Sequence, residues 1–235
     1  MLTQLSNLRT FIAREIGPLA VLGLAAAALL LFIQIVDEVM EGETHHFDEA
    51  VLRALRNPAD LADPIGPWWL EAIFRDITAL GGTTVLTIIT LSAAGYLLMD
   101  RKRGAALLVL ASVGGGTLVS MLLKDLFQRP RPELVAHLVE VRSLSFPSGH
   151  AMLSAVTFLT LGALLARLAP HRAQKLYLLS LATLLTLMVG ASRVYLGVHW
   201  PTDVLAGWCI GTAWALLCWI VALVLQRRGA IEQEG

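Results

Sequence analysis

The stretch GPLAVLGLAAAALLLFIQIV, residues 17–36, decides the fold because it contains no charged residue over its whole length. An apolar helix of about 20 residues is long enough to cross the hydrocarbon core of a bilayer. Within that core, only helices and closed barrels satisfy the hydrogen bonds of the backbone. The acidic Asp37, Glu38 and Glu41 follow the stretch, instead of the small residues of a signal cleavage site. The stretch therefore predicts a first membrane span that is retained.

The rest of the chain has the composition of a membrane protein. Hydrophobic residues make up 56% of its 235 residues and charged residues 15%, whereas a soluble domain has about 25% charged residues. Mean hydropathy is +0.68. We predict an all-α polytopic membrane protein, with residues 1–235 forming a single membrane-embedded domain. Its six transmembrane helices are expected at about 17–37, 77–99, 104–123, 149–169, 176–197 and 203–226.

The basic residues indicate how these spans are oriented. With six spans, most basic residues outside the motifs described below fall on one side, and basic loops stay cytoplasmic. They are Arg9, Arg14, Arg101, Lys102, Arg103, Arg167, Arg172, Lys175, Arg227 and Arg228. We therefore predict that both termini are cytoplasmic and that the protein resides in the cytoplasmic (inner) membrane. The segments 38–76, 124–148 and 198–202 then face the periplasm or the outside.

The segment between the first two spans is predicted to form an amphipathic extramembrane helical region. Apolar residues recur at near-helical spacing from Phe47 to Leu55, and Asn57-Pro58 then breaks the pattern. Trp68 and Trp69 favour an interfacial helix at headgroup level. Two roles stay open for residues 43–75, simple anchoring and a lid over a lipid substrate. His45 and His46 are expected in a solvated loop.

Other features are less informative. The formal net charge of zero gives no case for nucleic-acid binding. Cys209 and Cys218 are interpreted as small hydrophobic residues within one helix. The glycines 114–116 either allow close helix approach or form a weak point in the third span.

Three short motifs concentrate polar residues at the predicted outer face. The first places Lys124 seven residues before Arg131, which stands between two prolines that stiffen the loop. Arginine binds phosphate oxygens in bidentate fashion, whereas lysine acts as a point charge. Snorkelling to the interface is the alternative for Lys124. Arg129 and Arg142, in the same loop, are expected at most to attract an anionic headgroup.

The second and third motifs supply histidines. Pro-Ser-Gly-His at 147–150 precedes the fourth span, and a helix N-terminus is a ready anion site. In the third motif, Asp203 follows His199 by one helical turn, so its carboxylate can reach the imidazole. A carboxylate on one ring nitrogen makes the other a better nucleophile. A helix cap and an interfacial histidine are the alternatives for these motifs.

Together the motifs resemble the signature of the type 2 phosphatidic acid phosphatase superfamily. Every fixed position matches: Lys124, Arg131, Pro132, Pro147, Ser148, Gly149, His150, Ser192, Arg193, His199 and Asp203. The resemblance implies a catalytic set of His199 as nucleophile, Asp203 as its partner and His150 as acid and base. It also implies that the phosphate is bound by Lys124, Arg131, Ser148, Gly149 and Arg193. It implies no cofactor and no metal.

The expected function is that of a metal-independent membrane lipid phosphatase. Its substrate would be a lipid phosphomonoester or diphosphate, such as phosphatidylglycerol phosphate, undecaprenyl diphosphate or phosphatidic acid, cleaved through a phosphohistidine at the outer face. A lipid phosphotransferase or a lipid A 1-phosphatase could use the same site. A non-enzymatic lipid-binding protein is a further alternative. The expected partners are the lipid substrate and the bilayer, without nucleic acid, and the oligomeric state stays open.

Overall fold

The structure is a computed structural model that describes residues 2–141 and 143–227, with side chains from 17 to 141 and from 143 to 226. Within these ranges the chain folds into eight helices and one small antiparallel sheet. The elements are α1 (Leu2–Glu41), α2 (His45–Ala54), β1 (Arg56–Asn57), β2 (Asp60–Pro64), α3 (Trp68–Ala79), α4 (Thr83–Met99), α5 (Arg103–Phe127), α6 (Gly149–Leu168), α7 (Arg172–Tyr195) and α8 (Pro201–Arg227).

Five helical stretches in the described part are long and apolar enough to cross a membrane. They are Gly17–Glu41, Arg103–Phe127, Gly149–Leu168, Arg172–Tyr195 and Pro201–Gln226. Helices α3 and α4 meet the same criterion only together, as a pair bent by 46°. The chain is thus an integral membrane protein built from helices, with five or six candidate spans.

The second predicted span, 77–99, is wrong as a single straight helix. The chain breaks between α3 and α4 at residues 80–82, and α3 begins at Trp68, well before the predicted start. The reason is a close packing contact at Gly81. A Cβ on Gly81 would lie 2.3 Å from Val189 Cγ1 and 3.4 Å from His150 Cδ2. The glycine therefore lets the break sit directly against α6 and α7.

The region between α1 and α3 also differs from the prediction. The expected turn at Asn57-Pro58 is a β-hairpin, in which Asn57 pairs with Asp60. The Asn57 side-chain oxygen accepts a hydrogen bond from the Ala59 amide at 3.1 Å, which closes the tight turn. His45 and His46 are exposed as expected, but they open α2 instead of lying in a loop.

Helix α6 occupies the centre of the bundle, since 67% of its most apolar stretch is buried inside the protein. Helix α8 packs closely against it through two glycines. A Cβ on Gly207 would lie 2.7 Å from the Ser148 carbonyl oxygen, and one on Gly211 would lie 2.5 Å from that of Met152. The N-terminal ends of α6 and α8, which carry the second and third motifs, are therefore held side by side.

The glycines in the third span serve close packing at two of their three positions. Helix α5 runs unbroken from Arg103 to Phe127. A Cβ on Gly115 would lie 2.5 Å from Trp214 Cζ2, and one on Gly116 would lie 3.2 Å from Val156 Cγ2, whereas Gly114 faces open space. The interpretation of a weak point in the helix is wrong.

The basic loops gather at the end of the bundle opposite the motifs. Arg167, at the end of α6, donates a hydrogen bond to Gln226 of α8 at 3.2 Å, which places these two helix ends together. The side chains of Arg9, Arg14 and Arg227 lie outside the described part, as do residues Arg142 and Arg228. The roles suggested for these five arginines therefore stay predictions.

Candidate active site

A cavity of about 520 Å³ lies where α5 ends and α6 begins, and we call it the site cavity. Its lining includes six of the eight predicted site residues: Lys124, Arg131, Gly149, His150, Arg193 and His199. The other two, Ser148 and Asp203, are completely buried and do not line it. The three motifs, spread over 80 positions of the chain from 124 to 203, thus meet in one place.

His199 lies in the connection between α7 and α8, with its ring held from both sides. Its Nδ1 lies 3.3 Å from Asp203 Oδ2, and its Nε2 lies 3.1 Å from Arg131 Nη1. A guanidinium has donors and no acceptor, so Nε2 must accept this bond. Nδ1 then carries the proton and donates a hydrogen bond to the Asp203 carboxylate. In this tautomer, the Nε2 lone pair points toward the Arg131 guanidinium.

Asp203 is surrounded by donors, three of which the sequence did not indicate. Its Oδ2 accepts from the Ser145 hydroxyl at 2.5 Å and from the Trp200 amide at 2.9 Å. Its Oδ1 accepts from Arg129 Nη1 at 2.6 Å. The expectation that Arg129 attracts headgroups is wrong, because its side chain is only 14% exposed and binds carboxylates inside the protein.

The electrostatics of the site favour a neutral His199. Burial lowers the pKa of His199 well below the usual 6.5, and the nearby positive charges of Arg131, Arg193 and Lys124 lower it further. The imidazole thus keeps its lone pair at neutral and mildly acidic pH. That is the protonation state a nucleophile requires.

Backbone carbonyls of the loop before α6 and of the connection between α7 and α8 orient two of the cations. Arg131 donates from Nε to the Ser143 carbonyl at 2.7 Å and from Nη1 to the Val198 carbonyl. Lys124 Nζ donates to the Leu144 carbonyl at 2.5 Å. Burial lowers the pKa of Arg131, and the Asp203 carboxylate raises it; arginine nevertheless stays protonated in proteins. Both cations are therefore fixed at the cavity wall.

Helix α6 begins at the cavity, with Ser148 as its N-cap. The Ser148 hydroxyl accepts from the Ala151 amide at 3.5 Å, so the structure shows it capping the helix. Gly149 and His150, the first two residues of the helix, line the cavity. The positive end of the helix dipole is therefore directed at the same space as the cations. A direct contact of Ser148 with phosphate stays a prediction.

Arg193 contributes a third cation, and one of its N–H donors is unpaired among the residues that the structure describes. Its Nη1 donates to Thr78 Oγ1 of α3 at 2.9 Å, while its buried Nε has no hydrogen-bond partner in the described part of the protein. A buried donor without a partner costs free energy unless a ligand satisfies it. Thr78 also lines the cavity. No pattern in the sequence distinguished Thr78 from the other threonines of the apolar helices.

Comparison with known families agrees with this arrangement, since residues 105–227 match the PAP2 superfamily. The chain belongs to the PAP2 superfamily. The resemblance seen in the three motifs is thereby confirmed. This PAP2 protein is a phosphatase, a phosphoric monoester hydrolase, which sets aside the non-enzymatic alternative.

Individual relatives resemble this PAP2 protein in sequence and in fold. Phosphatidylglycerophosphatase B of Bacillus subtilis is 33% identical over 77% of this chain and 86% of its own length. An undecaprenyl-diphosphatase of Sulfolobus acidocaldarius is 37% identical over 39% of this chain and 35% of its own. The crystal structure of a transmembrane PAP2-type phosphatidylglycerolphosphate phosphatase from Bacillus subtilis superposes with a TM-score of 0.75 and 29% identity. That match covers 90% of this chain and 98% of the other.

Proposed function

We propose that this PAP2 protein is a metal-independent lipid phosphatase that cleaves a lipid phosphomonoester or diphosphate through a phosphohistidine on His199. The observation that carries the proposal is the position of His199. Its Nδ1 is held by Asp203, and its Nε2 lies beside Arg131 in a cavity that Lys124 and Arg193 also line. A nucleophile and the cations that would hold its target are thus preassembled.

In the first step, Arg131 Nη1 moves from His199 Nε2 to a phosphoryl oxygen, the freed Nε2 lone pair attacks phosphorus, and the bond from phosphorus to the lipid oxygen breaks. His150 must first bind a proton, and as an imidazolium it donates that proton to the leaving oxygen. The imidazolium that forms on His199 is stabilised by the Asp203 carboxylate at Nδ1. Lys124, Arg131 and Arg193, with the first amides of α6, bind the phosphoryl oxygens. Such fixed positive charge is the main source of catalysis in phosphoryl transfer.

In the second step, His150, now neutral, removes a proton from water while the water oxygen attacks phosphorus. The bond between Nε2 and phosphorus breaks, inorganic phosphate leaves, and both histidines return to their starting states. No step requires a metal ion. Among the described residues, no three His, Cys, Asp or Glu side chains are grouped to hold one.

The substrate we propose is a lipid whose phosphate stands near the membrane surface. Phosphatidylglycerol phosphate and undecaprenyl diphosphate are the first candidates, because the relatives named above act on such lipids. Phosphatidic acid is a further candidate. Apolar residues such as Met121, Val139 and Leu153 line the cavity beside the cations, so a lipid stem can enter with its phosphate.

We also propose a membrane arrangement. The bent pair α3–α4 counts as one span, which gives six, with residues 1–235 as one domain. Both termini then face the cytoplasm, and the site cavity faces the periplasm or the outside of the inner membrane. In this arrangement, α2 and the hairpin are extramembrane, and Trp68 and Trp69, both exposed, lie at headgroup level.

The decisive experiment measures inorganic phosphate released from a panel of lipid phosphates by purified protein in detergent. We expect release with excess EDTA present, and loss of release in His199→Gln. The matched control is His46→Gln, an exposed histidine on α2, which should behave as wild type. Activity surviving in His199→Gln would overturn the mechanism. Appearance of the label on an added lipid acceptor would identify a phosphotransferase instead.

A further inference from the structure

We propose that Arg129 is a positioning residue for the Asp203–His199 pair, and that Asp48 of α2 holds Arg129 in place. The inference rests on the proposed function, because it assigns a task to residues outside the signature. Arg129 and Asp48 do not line the site cavity. Any effect they have on the reaction must therefore pass through another residue.

Arg129 connects two buried carboxylates with two of its nitrogens. Nη1 donates to Asp203 Oδ1 at 2.6 Å, and Nη2 donates to Asp48 Oδ2 at 2.8 Å. Its guanidinium carbon also lies 5.5 Å from the centre of the Trp200 ring, within range of a cation–π contact. The guanidinium is thus held by partners on three sides, with Nη1 directed at Asp203.

Asp48 ties this arrangement to the start of α8. Its Oδ1 accepts from the Thr202 amide at 3.0 Å, and its Oδ2 accepts from the Thr202 hydroxyl at 2.7 Å. Both contacts lie in the first turn of α8, the turn that carries Asp203. A carboxylate is favoured there by the helix dipole. Helix α2 is therefore joined to the helix end on which the partner of the nucleophile sits.

The charge balance explains why the reaction needs these contacts. Asp203 is 0% exposed, so no bulk water stabilises its negative charge. A buried carboxylate without a counter-charge takes up a proton or moves toward another donor. Arg129 supplies the counter-charge on Oδ1, so Oδ2 is not drawn to the guanidinium and holds His199 Nδ1. Asp203 thereby stays ionised and directed at the imidazole.

The same contacts decide between two roles for the start of the 43–75 segment. Asp48 and Leu52 are both 0% exposed, so one face of α2 is buried in the protein. A helix that holds the nucleophile's partner in this way is a fixed support. A mobile lid at α2 would have to break the bonds to Arg129 and Thr202 in every cycle.

The test is a double-mutant cycle of Arg129→Gln and Asp203→Asn, with phosphate release measured at saturating and limiting lipid. Arg129→Gln alone should lower kcat by about 10–100-fold, the loss expected for a hydrogen bond to a charged group, with KM within about twofold. In the Asp203→Asn background it should cost less than about threefold, because its target is already gone. Arg129→Lys, which keeps the charge, should recover part of the loss.

Asp48→Asn should lower kcat by about 3–10-fold through Arg129. Arg53→Gln is the matched control, since Arg53 pairs with Glu49 on the exposed side of the same helix, and it should leave both constants unchanged. If Arg129→Gln does not fold, Arg129→Lys and Asp48→Asn complete the cycle with Asp203→Asn.

Multiplicative losses in the cycle, or a change confined to KM, would overturn the positioning role while leaving the phosphatase assignment intact. Wild-type activity in His199→Gln would instead overturn the proposed function, and this inference with it.

Discussion

Ser145→Ala removes the closest donor to the Asp203 carboxylate without altering any residue of the signature. The Ser145 hydroxyl lies 2.5 Å from Asp203 Oδ2 and 3.4 Å from His199 Nδ1. It therefore fixes the oxygen that holds the imidazole. Without it, Oδ2 keeps only the Trp200 amide at 2.9 Å and the imidazole at 3.3 Å. The carboxylate is then free to turn toward Arg129.

The size of the effect follows from these contacts. A hydrogen bond to a charged group contributes about 1.5–3 kcal/mol. Every ~1.4 kcal/mol of lost transition-state stabilisation lowers a rate about tenfold. We therefore expect kcat to fall by about 10–100-fold. KM should change little, because Ser145 is completely buried and does not line the site cavity.

The assay is steady-state phosphate release from a lipid phosphate in mixed micelles, scaled to the amount of folded protein. Ser154→Ala is the control, because Ser154 is equally buried and its hydroxyl donates to the Ala151 carbonyl of its own helix. A kcat for Ser145→Ala within twofold of wild type would refute the reasoning. So would an equal loss in Ser154→Ala, since the effect would then be general to the fold.

Three further predictions concern charge, packing and orientation. In the pH profile of kcat/KM, the acid limb set by His199 should lie below pH 6.5. Arg131→Gln removes a positive charge that lowers the pKa of His199, so the acid limb should move to higher pH. An acid limb at the same pH in this variant would contradict the prediction. Gly81→Ala should lower the free energy of unfolding by about 1–3 kcal/mol through overpacking, and with it the midpoint of thermal unfolding. Gly95→Ala should not, because no atom of the described residues lies within 4 Å of its new Cβ. In a chain without native cysteines, His137→Cys should react with an impermeant thiol reagent from outside intact cells, and labelling only after lysis would reverse the orientation.

The residues at helix ends were predictable because apolar runs fix where helices begin and end. Lys124, His150 and Arg193 each lie within a few residues of such an end, and all three line the cavity. The contacts of Ser145 were not predictable, because they depend on how the 143–146 loop folds back over α8. No local pattern in a loop of serines and prolines sets that path.

Asp48 shows that one missed residue did leave a signal. It precedes Leu52 by four residues and Leu55 by seven, so it shares the apolar face of α2. A carboxylate on such a face is buried only with a partner. The spacing could have indicated an internal ion pair, although only the tertiary structure identifies Arg129 as the partner.

The break between α3 and α4 was missed because hydropathy does not distinguish a bent helix from a straight one. Residues 77–99 contain no charged residue, and Gly81-Gly82 is their only glycine pair. A glycine pair inside an apolar run is compatible with either outcome. The contacts of Gly81 with α6 and α7 decide it, and these depend on side chains more than a hundred positions away, such as Val189.

Thr78 and Asp48 precede residue 105, where the region shared across the superfamily begins, yet they hold Arg193 and Arg129. Residues that precede the matched region thus support two arginines inside it. Engineers who exchange the 43–79 segment between relatives to change lipid preference would also exchange the supports of two arginines. Chimeras of this kind should work only when the donor segment brings a carboxylate and a hydroxyl at the same two positions.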